Sequence, residues 1–475
     1  MRTLVSFLLG FAVIGCSGDG DVTTPDQPAD QPVTQPADLP PADLPPADLA
    51  PADGACPDCN VVFIVIDATR PDYFGCYGFD KAATPNIDKL AQRGLLFEQA
   101  YAQASATLPS VSSYLSGRYR IATGMDFTQF KRAELYHPMT DQVTTIAEVL
   151  SEHGHRSVGA IANVVIAKGV EFDLNLHQGF ELFDFGDDSK TTARTLELLQ
   201  ESKDKPFFLY AHLMGPHPPN LPSEGFGQRR GSFDASLLQP TALNYSKVNN
   251  KKLELSEEGA EFWKAAYTDG LMTADAHVGE MLDEITRLGL DEKTLIIITA
   301  DYGEGLGDPY GKTFRWGHGY GLKPPVLHVP MVIAGPGVPQ GERAVDQVAE
   351  LVDLAPTITS FLGIPVKDDW RWDGSPLFGP DAELGTSSIS DQGIPPEISV
   401  NIRTATHSVS AHFSDGKARN YRFFELGTNP DENTGGVNKA PHADLKVALD
   451  AYMANAKAPV LGQASQAPSD ANVQQ

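Results

Sequence analysis

Asn60-Val61-Val62-Phe63-Ile64-Val65-Ile66-Asp67 is a nearly continuous apolar run that ends in a carboxylate. Strands of a parallel sheet read this way, because helices cover both faces and leave no polar side. Ligands of open α/β sheets bind beyond the carboxyl ends of the strands, so Asp67 has the address of a metal ligand. Taken alone, an aspartate closing a strand also serves as a turn or cap residue. Leu295–Ala300 followed by Asp301 repeats the arrangement. Around these two runs helix and strand alternate. Thr145–His153 reads as a helix closed by Gly154, Ser157–Ala162 as a strand, Thr191–Ser202 as a helix and Pro206–His212 as a strand. Trp263–Leu288 is a long helix with Leu271, Ala274, Val278, Met281, Leu282 and Ile285 on one face, Val329–Ala334 a strand, and Val352–Leu362 a helix closed by Gly363. The alternation predicts an α/β fold with a central, mostly parallel sheet between helices. Residues 220–256 are polar and irregular, which predicts an insertion over the site.

A candidate nucleophile lies in Ser105-Ala106-Thr107-Leu108-Pro109-Ser110-Val111-Ser112-Ser113-Tyr114-Leu115-Ser116-Gly117-Arg118. Pro109 suits the first turn of a helix, where its missing N–H costs nothing. Thr107 is therefore expected just before a helix N-terminus, its hydroxyl near free backbone N–H groups and the positive end of the dipole. A nucleophile facing an anionic ester belongs there, and so does an ordinary threonine cap. This stretch alone does not separate the two.

The 475 residues suffice for one large α/β domain and a smaller unit. A formal net charge of -26 argues against nucleic acid as a partner. It does not bar an anionic substrate, because a metal inverts the local field. Arg2 followed by the short apolar run Leu4–Ile14 predicts an export signal over residues 1–15. Val13-Ile14-Gly15-Cys16 resembles the lipobox of bacterial lipoproteins. That implies acylation of Cys16, a lipid anchor in the cell envelope and, with Ser17 next to it, the outer membrane. Residues 16–59 carry Asp without Lys or Arg and repeat Pro-Ala-Asp-Leu-Pro, which predicts a disordered, semi-rigid stalk. Cys56 and Cys59 have no second pair to make a four-cysteine zinc site, and in an exported chain a local disulfide is expected. Cys76 then remains as a lone, buried thiol.

Beyond residue 370 the pattern changes to short alternating runs, Ile398–Arg403, His407–Phe413 and Tyr421–Leu426, with a helix near Ala443–Ala454. The expected division is a main domain over 60–368, a small antiparallel sheet plus helix over 369–456, and a disordered tail over 457–475.

Several motifs then fall in one order. Asn60–Asp67 with Ala68-Thr69-Arg70-Pro71-Asp72, Gly75-Cys76-Tyr77-Gly78, Thr84-Pro85-Asn86-Ile87-Asp88 and Gly94–Tyr101 resemble the opening of sulfatase-type enzymes of the alkaline phosphatase superfamily. Pro216-His217-Pro218-Pro219, Asp301-Tyr302-Gly303-Glu304, Gly317-His318-Gly319, His328-Val329-Pro330-Met331 and Val352-Asp353-Leu354-Ala355-Pro356-Thr357 continue it, and Phe424-Glu425-Leu426 resembles its C-terminal hairpin. The resemblance implies one divalent metal held by Asp67 and Asp301, with Thr107 as both nucleophile and metal ligand. His217 and His318 match positions that contact the anion or protonate the leaving group.

The chain also departs from that pattern. Formylglycine sulfatases need Cys or Ser where Thr107 stands, followed by x-Pro-x-Arg, and Val111 occupies the Arg position. Thr107 resembles instead the phosphodiesterase, phosphonate-ester and phosphoethanolamine or phosphoglycerol transferase branches. Ala68 replaces the second Asp of the usual pair, Tyr302 stands where His or Asn usually follows the second aspartate, and Gly215 stands where many relatives have Asp. The oxygen-rich remainder predicts one hard cation, Ca²⁺, Mg²⁺ or Mn²⁺, ahead of Zn²⁺. The leading expectation is a tethered hydrolase or transferase of phosphoryl or sulfuryl esters, on an anionic substrate such as a glycan or lipid. The alternative is a catalytically inactive sulfatase-like lipoprotein that binds an envelope glycan or protein partner. Oligomeric state is left open.

Overall fold

The computed structural model describes residues 55–455 apart from 81–83, 126–137, 170–173, 220–237, 312, 380–381, 383–384, 395–396, 431 and 433–442. The chain divides into Met1–Pro40 and Pro41–Gln475. The signal, Cys16, nearly all of the stalk, the tail and the first half of the expected insertion lie outside the described residues.

Among the described residues eleven strands belong to the main domain: β1 (Asn60–Ile66), β2 (Leu95–Tyr101), β3 (Arg156–Ile161), β4 (Leu182–Phe185), β5 (Phe207–Leu213), β6 (Thr294–Thr299), β7 (Gly305–Tyr310), β8 (Thr313–Gly317), β9 (His328–Val329), β10 (Met331–Ala334) and β11 (Glu342–Glu350). Nine of them form one sheet in the order β11-β2-β10-β6-β1-β5-β3-β4, with β9 attached to β2. The first run read from the sequence is its centre. β1 pairs in parallel with β5 on one side and β6 on the other, and β3 and β4 extend the parallel block. β10 runs against β6 and β2, so the sheet is mixed on that side.

The helices are α1 (Pro85–Ala91), α2 (Thr107–Ser116), α3 (Arg120–Thr123), α4 (Ile146–Glu152), α5 (Asp188–Ser202), α6 (Ala242–Asn249), α7 (Glu257–Arg287), α8 (Pro324–Leu327), α9 (Leu354–Leu362) and α10 (Ala443–Asn455). Alternation along β1 divides the core between them. Val61, Phe63 and Val65 face a layer containing Leu108, Val111, Leu150 and Ile358 of α2, α4 and α9. Val62, Ile64 and Ile66 face Ile87, Leu198, Leu271 and Val278 of α1, α5 and α7. Both faces of β1 are fully buried, which is why its residues alternate in direction but not in polarity. The caps are those the residue types dictate. Thr145 and Glu148 close a capping box on α4, Ser256 caps α7, and Gly117, at φ 62, ends α2 in the left-handed conformation.

Four antiparallel strands, β12 (Ser387–Ile394), β13 (Glu397–Thr404), β14 (His407–Ser414) and β15 (Lys417–Glu425), make the C-terminal sheet, and Leu449 of α10 packs on its apolar face. β12 fastens this sheet to the main domain. Ser390 Oγ donates to the Ala102 carbonyl at 2.7 Å, Gln392 Nε2 donates to the Gly319 carbonyl at 3.0 Å, and Asp391 forms a buried ion pair with Arg120. Cys56 and Cys59 form the expected disulfide, and Cys76 is a buried free thiol. Among the described residues no helix is long and apolar enough to cross a membrane.

Candidate active site

The carboxyl edge of the parallel block gathers the candidate residues. Asp67 follows β1, Asp301 follows β6, His212 is the penultimate residue of β5, and Asn163 lies just past β3. Helix α2 brings its N-terminus to the same edge. Thr107 is the first residue of α2, with Ala106 as the extended cap residue and Pro109 still inside the first turn. The expected cap position is thus displaced by one residue, and the hydroxyl is still at the positive end of the helix. Ser110 Oγ, one turn on, donates to the Asp301 carbonyl at 2.5 Å and locks the helix against β6.

Asp67 is the hub. Tyr302 Oη donates to its Oδ1 at 2.8 Å, Asn163 Nδ2 donates to its Oδ2 at 2.6 Å, and His212 Nε2 lies 3.2 Å from the same oxygen. Thr107 Oγ1 sits 3.3 Å from both Tyr302 Oη and Asn163 Nδ2. Val165 N–H donates to Asn163 Oδ1 at 2.9 Å, which fixes the amide with its NH₂ toward Asp67 and Thr107. Asp301 Oδ1 accepts from the Ala68 and Tyr302 N–H groups at 3.1 and 3.0 Å. Its Oδ2 is buried and has no hydrogen-bond partner.

Two imidazoles cover this floor. His318 follows the β7–β8 hairpin, its Nε2 3.4 Å from Tyr302 Oη and its Nδ1 2.7 Å from Glu304 Oε2. The His217 and His318 ring centroids are 5.0 Å apart. The loop carrying His318 is pinned from both sides, since Gly319 N–H donates to the Ser105 carbonyl at 2.7 Å and its carbonyl accepts from Gln392.

The charges are arranged unevenly. Burial pushes the Asp67 carboxyl up, but His217, His212 and the Tyr302 hydroxyl outweigh it and hold the group below the usual carboxylate range. Asp301 is pushed well up by burial and by the charge of Asp67. Burial lowers His217. It also opposes the charge on His318, where the Glu304 carboxylate prevails and raises the ring above an ordinary histidine.

Asp67, His212 and Asp301 each offer a ligand atom, all within 4.8 Å of one another. This donor set, with the unpartnered Asp301 Oδ2 turned toward it, fits a divalent cation. All five residues singled out from the sequence therefore meet at one edge. Asn163 and His212 were not anticipated, and Glu304 was noted only as part of a motif. Asn163 carries the same signal as Asp67 and Asp301, a polar residue directly after a buried parallel strand. His212 lies inside its strand, where that rule does not look.

The sulfatase family profile matches residues 59–364. The chain belongs to the sulfatase family. It is 29% identical to human arylsulfatase A over 395 residues, 74% of each chain. It is 26% identical to bovine arylsulfatase K over 447 residues, 82% of this chain and 80% of the relative. Solved structures share the fold at lower identity. A 2-O GAG sulfatase superposes with a TM-score of 0.66 at 19% identity, covering 84% of this chain and 93% of that one. The phosphonate monoester hydrolase of Agrobacterium radiobacter gives 0.65 at 17%, covering 84% and 95%. Membership places the chain among sulfo- and phosphoester hydrolases, a family that generally binds a divalent metal.

Proposed function

We propose that this sulfatase-family chain is a metal-dependent hydrolase or transferase of phosphoryl or sulfuryl esters, with Thr107 as nucleophile, tethered to the cell envelope through Cys16. The observation that carries the reading is the position of the Thr107 hydroxyl. It opens a helix N-terminus, 3.3 Å from Tyr302 Oη and Asn163 Nδ2, beside the Asp67–Asp301 pair. A divalent cation held by Asp67 and Asp301 would lower the pKa of a bound hydroxyl and neutralise charge on the ester oxygens. Thr107 Oγ, losing its proton to solvent, attacks phosphorus or sulfur, and its bond forms as the ester bond to the leaving alcohol breaks. His318, whose ring the Glu304 carboxylate raises above an ordinary histidine, is partly exposed and can hand the proton at Nε2 to that alcohol. The α2 N-terminus supports developing negative charge without rearrangement. Water or an acceptor alcohol releases the group from Thr107, which distinguishes hydrolase from transferase.

The threonine methyl group separates this route from the formylglycine one, because oxidation at that carbon gives a ketone and not an aldehyde. Thr107→Ala tests the reading against 4-nitrophenyl sulfate, 4-nitrophenyl phosphate and phenylphosphonate esters. Turnover is expected to fall at least about 10³-fold with an unchanged melting temperature, and quenched wild type should carry a phospho or sulfo adduct on the Thr107 peptide. Undiminished turnover in Thr107→Ala would overturn the assignment.

A further inference from the structure

We propose that His212 is a nitrogen ligand of the cation held by Asp67 and Asp301, presented by the buried Tyr114–Tyr210 pair, and that the site consequently selects Zn²⁺ over Ca²⁺, Mg²⁺ and Mn²⁺. The proposal rests on the metal-binding part of the function above and not on its ester chemistry.

Three observations carry it. His212 is fully buried with both carboxylates, its Nε2 3.2 Å from Asp67 Oδ2 and 3.9 Å from Asp301 Oδ2. Bonds of about 2.1 Å arranged tetrahedrally place ligand atoms about 3.4 Å apart, between these two separations. A purely structural histidine is satisfied by one hydrogen bond to Asp67, and that arrangement leaves Asp301 Oδ2 buried without a partner. An ion shared by the three atoms removes the orphan.

The third observation is on the far side of the ring. Tyr210 Oη lies 2.7 Å from His212 Nδ1, and Tyr114 Oη lies 2.7 Å from Tyr210 Oη. A hydroxyl both donates and accepts, so this relay has two directions. When Tyr210 donates to Nδ1, Nε2 carries the proton and faces Asp67. When the Nδ1–H donates to Tyr210 Oη, the Nε2 lone pair is exposed toward the carboxylates. The second direction is the arrangement that metal-bound histidines use, with a hydrogen-bond partner behind the ring fixing the tautomer. Tyr114 lies on α2, seven residues after Thr107, so one helix supplies both the nucleophile and the base of the relay. Imidazole suits Zn²⁺, whereas Ca²⁺, Mg²⁺ and Mn²⁺ take oxygen ligands.

The test uses the full chain, stripped with chelator and dialysed against an equimolar mixture of Ca²⁺, Mg²⁺, Mn²⁺ and Zn²⁺, followed by elemental analysis. About one Zn²⁺ per chain is expected, with Ca²⁺, Mg²⁺ and Mn²⁺ at background. His212→Gln should lower affinity for the retained ion at least about 10-fold, and Tyr210→Phe should lower it by about 10-fold. Cobalt-loaded protein gives an independent readout, because loss of an imidazole ligand changes the visible absorption bands. If His212→Gln does not fold, Tyr210→Phe and Tyr114→Phe carry the test, since each removes only a buried hydroxyl. Retention of Ca²⁺, Mg²⁺ or Mn²⁺ from the mixture, no bound ion at all, or identical cobalt spectra for wild type and His212→Gln would each overturn the proposal. An enzyme that turns over esters with Ca²⁺ and ignores His212→Gln refutes this inference and leaves the proposed function standing. A protein that binds Zn²⁺ through His212 and turns over no ester does the reverse.

Discussion

Replacing Glu304 by glutamine removes one charge and almost no volume from beside the His318 ring. Glu304 is fully buried, with Oε2 2.7 Å from His318 Nδ1 and Oε1 without a hydrogen-bond partner. The amide oxygen of glutamine can still accept from Nδ1–H, so the variant tests the charge and not the contact. A hydrogen bond to a charged group contributes about 1.5–3 kcal/mol and a neutral one about 0.5–1.5. The cationic ring therefore loses about 1–2 kcal/mol of support, or about a 5- to 30-fold smaller protonated fraction above its titration. Burial already opposes the charge, and Glu304 is what raises the ring. In Glu304→Gln the alkaline limb of kcat/KM should move to lower pH, with activity about 5- to 30-fold down above the titration of the ring and near wild type below it. The sign for stability is the same. A raised folded pKa contributes stability that is complete below the unfolded histidine value, about 6.5, and is lost as pH rises through the folded value. The wild-type advantage in melting temperature should accordingly be largest under acid conditions. The His318 ring proton, followed by NMR across pH 5–9, checks the cause without needing a substrate. Superimposable titrations of His318 in the two proteins would refute the reasoning.

Three further outcomes are expected elsewhere in the molecule. A Cβ at Gly270 of α7 would lie 2.8 Å from Pro216 Cα and 3.0 Å from the Gly215 carbonyl, so Gly270→Ala should push the loop bearing His217 and lower stability by about 1–3 kcal/mol; an unchanged urea midpoint would contradict this. Arg120 and Asp391 are both almost fully buried where the C-terminal sheet meets the main domain, and Asp391 also accepts from Tyr452 Oη. Asp391→Ala should therefore destabilise by about 3–5 kcal/mol, much of it recovered in Arg120→Met with Asp391→Leu, as read by chemical denaturation. Burial raises the Asp275 carboxyl to about 7 against the opposing Asn86 and Ile87 N–H groups. The folded state then holds a proton that the unfolded chain releases near pH 4, so this residue makes stability fall between about pH 4 and 7. The wild-type advantage over Asp275→Asn, measured by urea unfolding, should narrow across that window, and a constant difference would count against it.

The sheet and its carboxyl edge were legible because β1 and β6 are buried on both faces and closed by aspartates, a pattern that hydrophobicity alone marks. β11 was not, because Glu342-Arg343-Ala344-Val345-Asp346-Gln347 reads as surface and pairs only along its β2 side. β4 is a four-residue edge strand, shorter than any periodicity can register. The antiparallel run of β10 is equally invisible, since direction depends on a connection and not on composition. In the site, residues at strand ends could be read from position. Asn163 sits at such a strand end and carries that signal, whereas His212 could not be assigned, because its role comes from the residues that follow β1 and β6.

The substitutions that made the site look damaged are consistent with one another in three dimensions. Ala68 takes a left-handed conformation at φ 57. Such strain in a residue other than glycine persists only where the surroundings hold it. They do so here, for its N–H donates to Asp301 Oδ1 and its carbonyl accepts from Tyr267 Oη at 2.9 Å. The position that could carry a second carboxylate thus contributes a backbone donor that orients the first. Val111 is fully buried in the apolar layer beneath the sheet, so its side chain packs in the core and takes no part in the site. Tyr302 reaches Asp67, Thr107 and His318 with a single hydroxyl, a role that neither an imidazole nor an amide at the end of a shorter side chain reproduces. Random decay predicts unpartnered buried polar groups at each altered position. The N–H and carbonyl of Ala68 and the N–H and hydroxyl of Tyr302 all have partners, whereas the unpartnered carboxylate oxygens of the site are on Asp301 and Glu304. An unpaired Asp301 oxygen beside Asp67 and His212 is what a site organised to hold a cation requires, and it argues for a retained cation site over a relic.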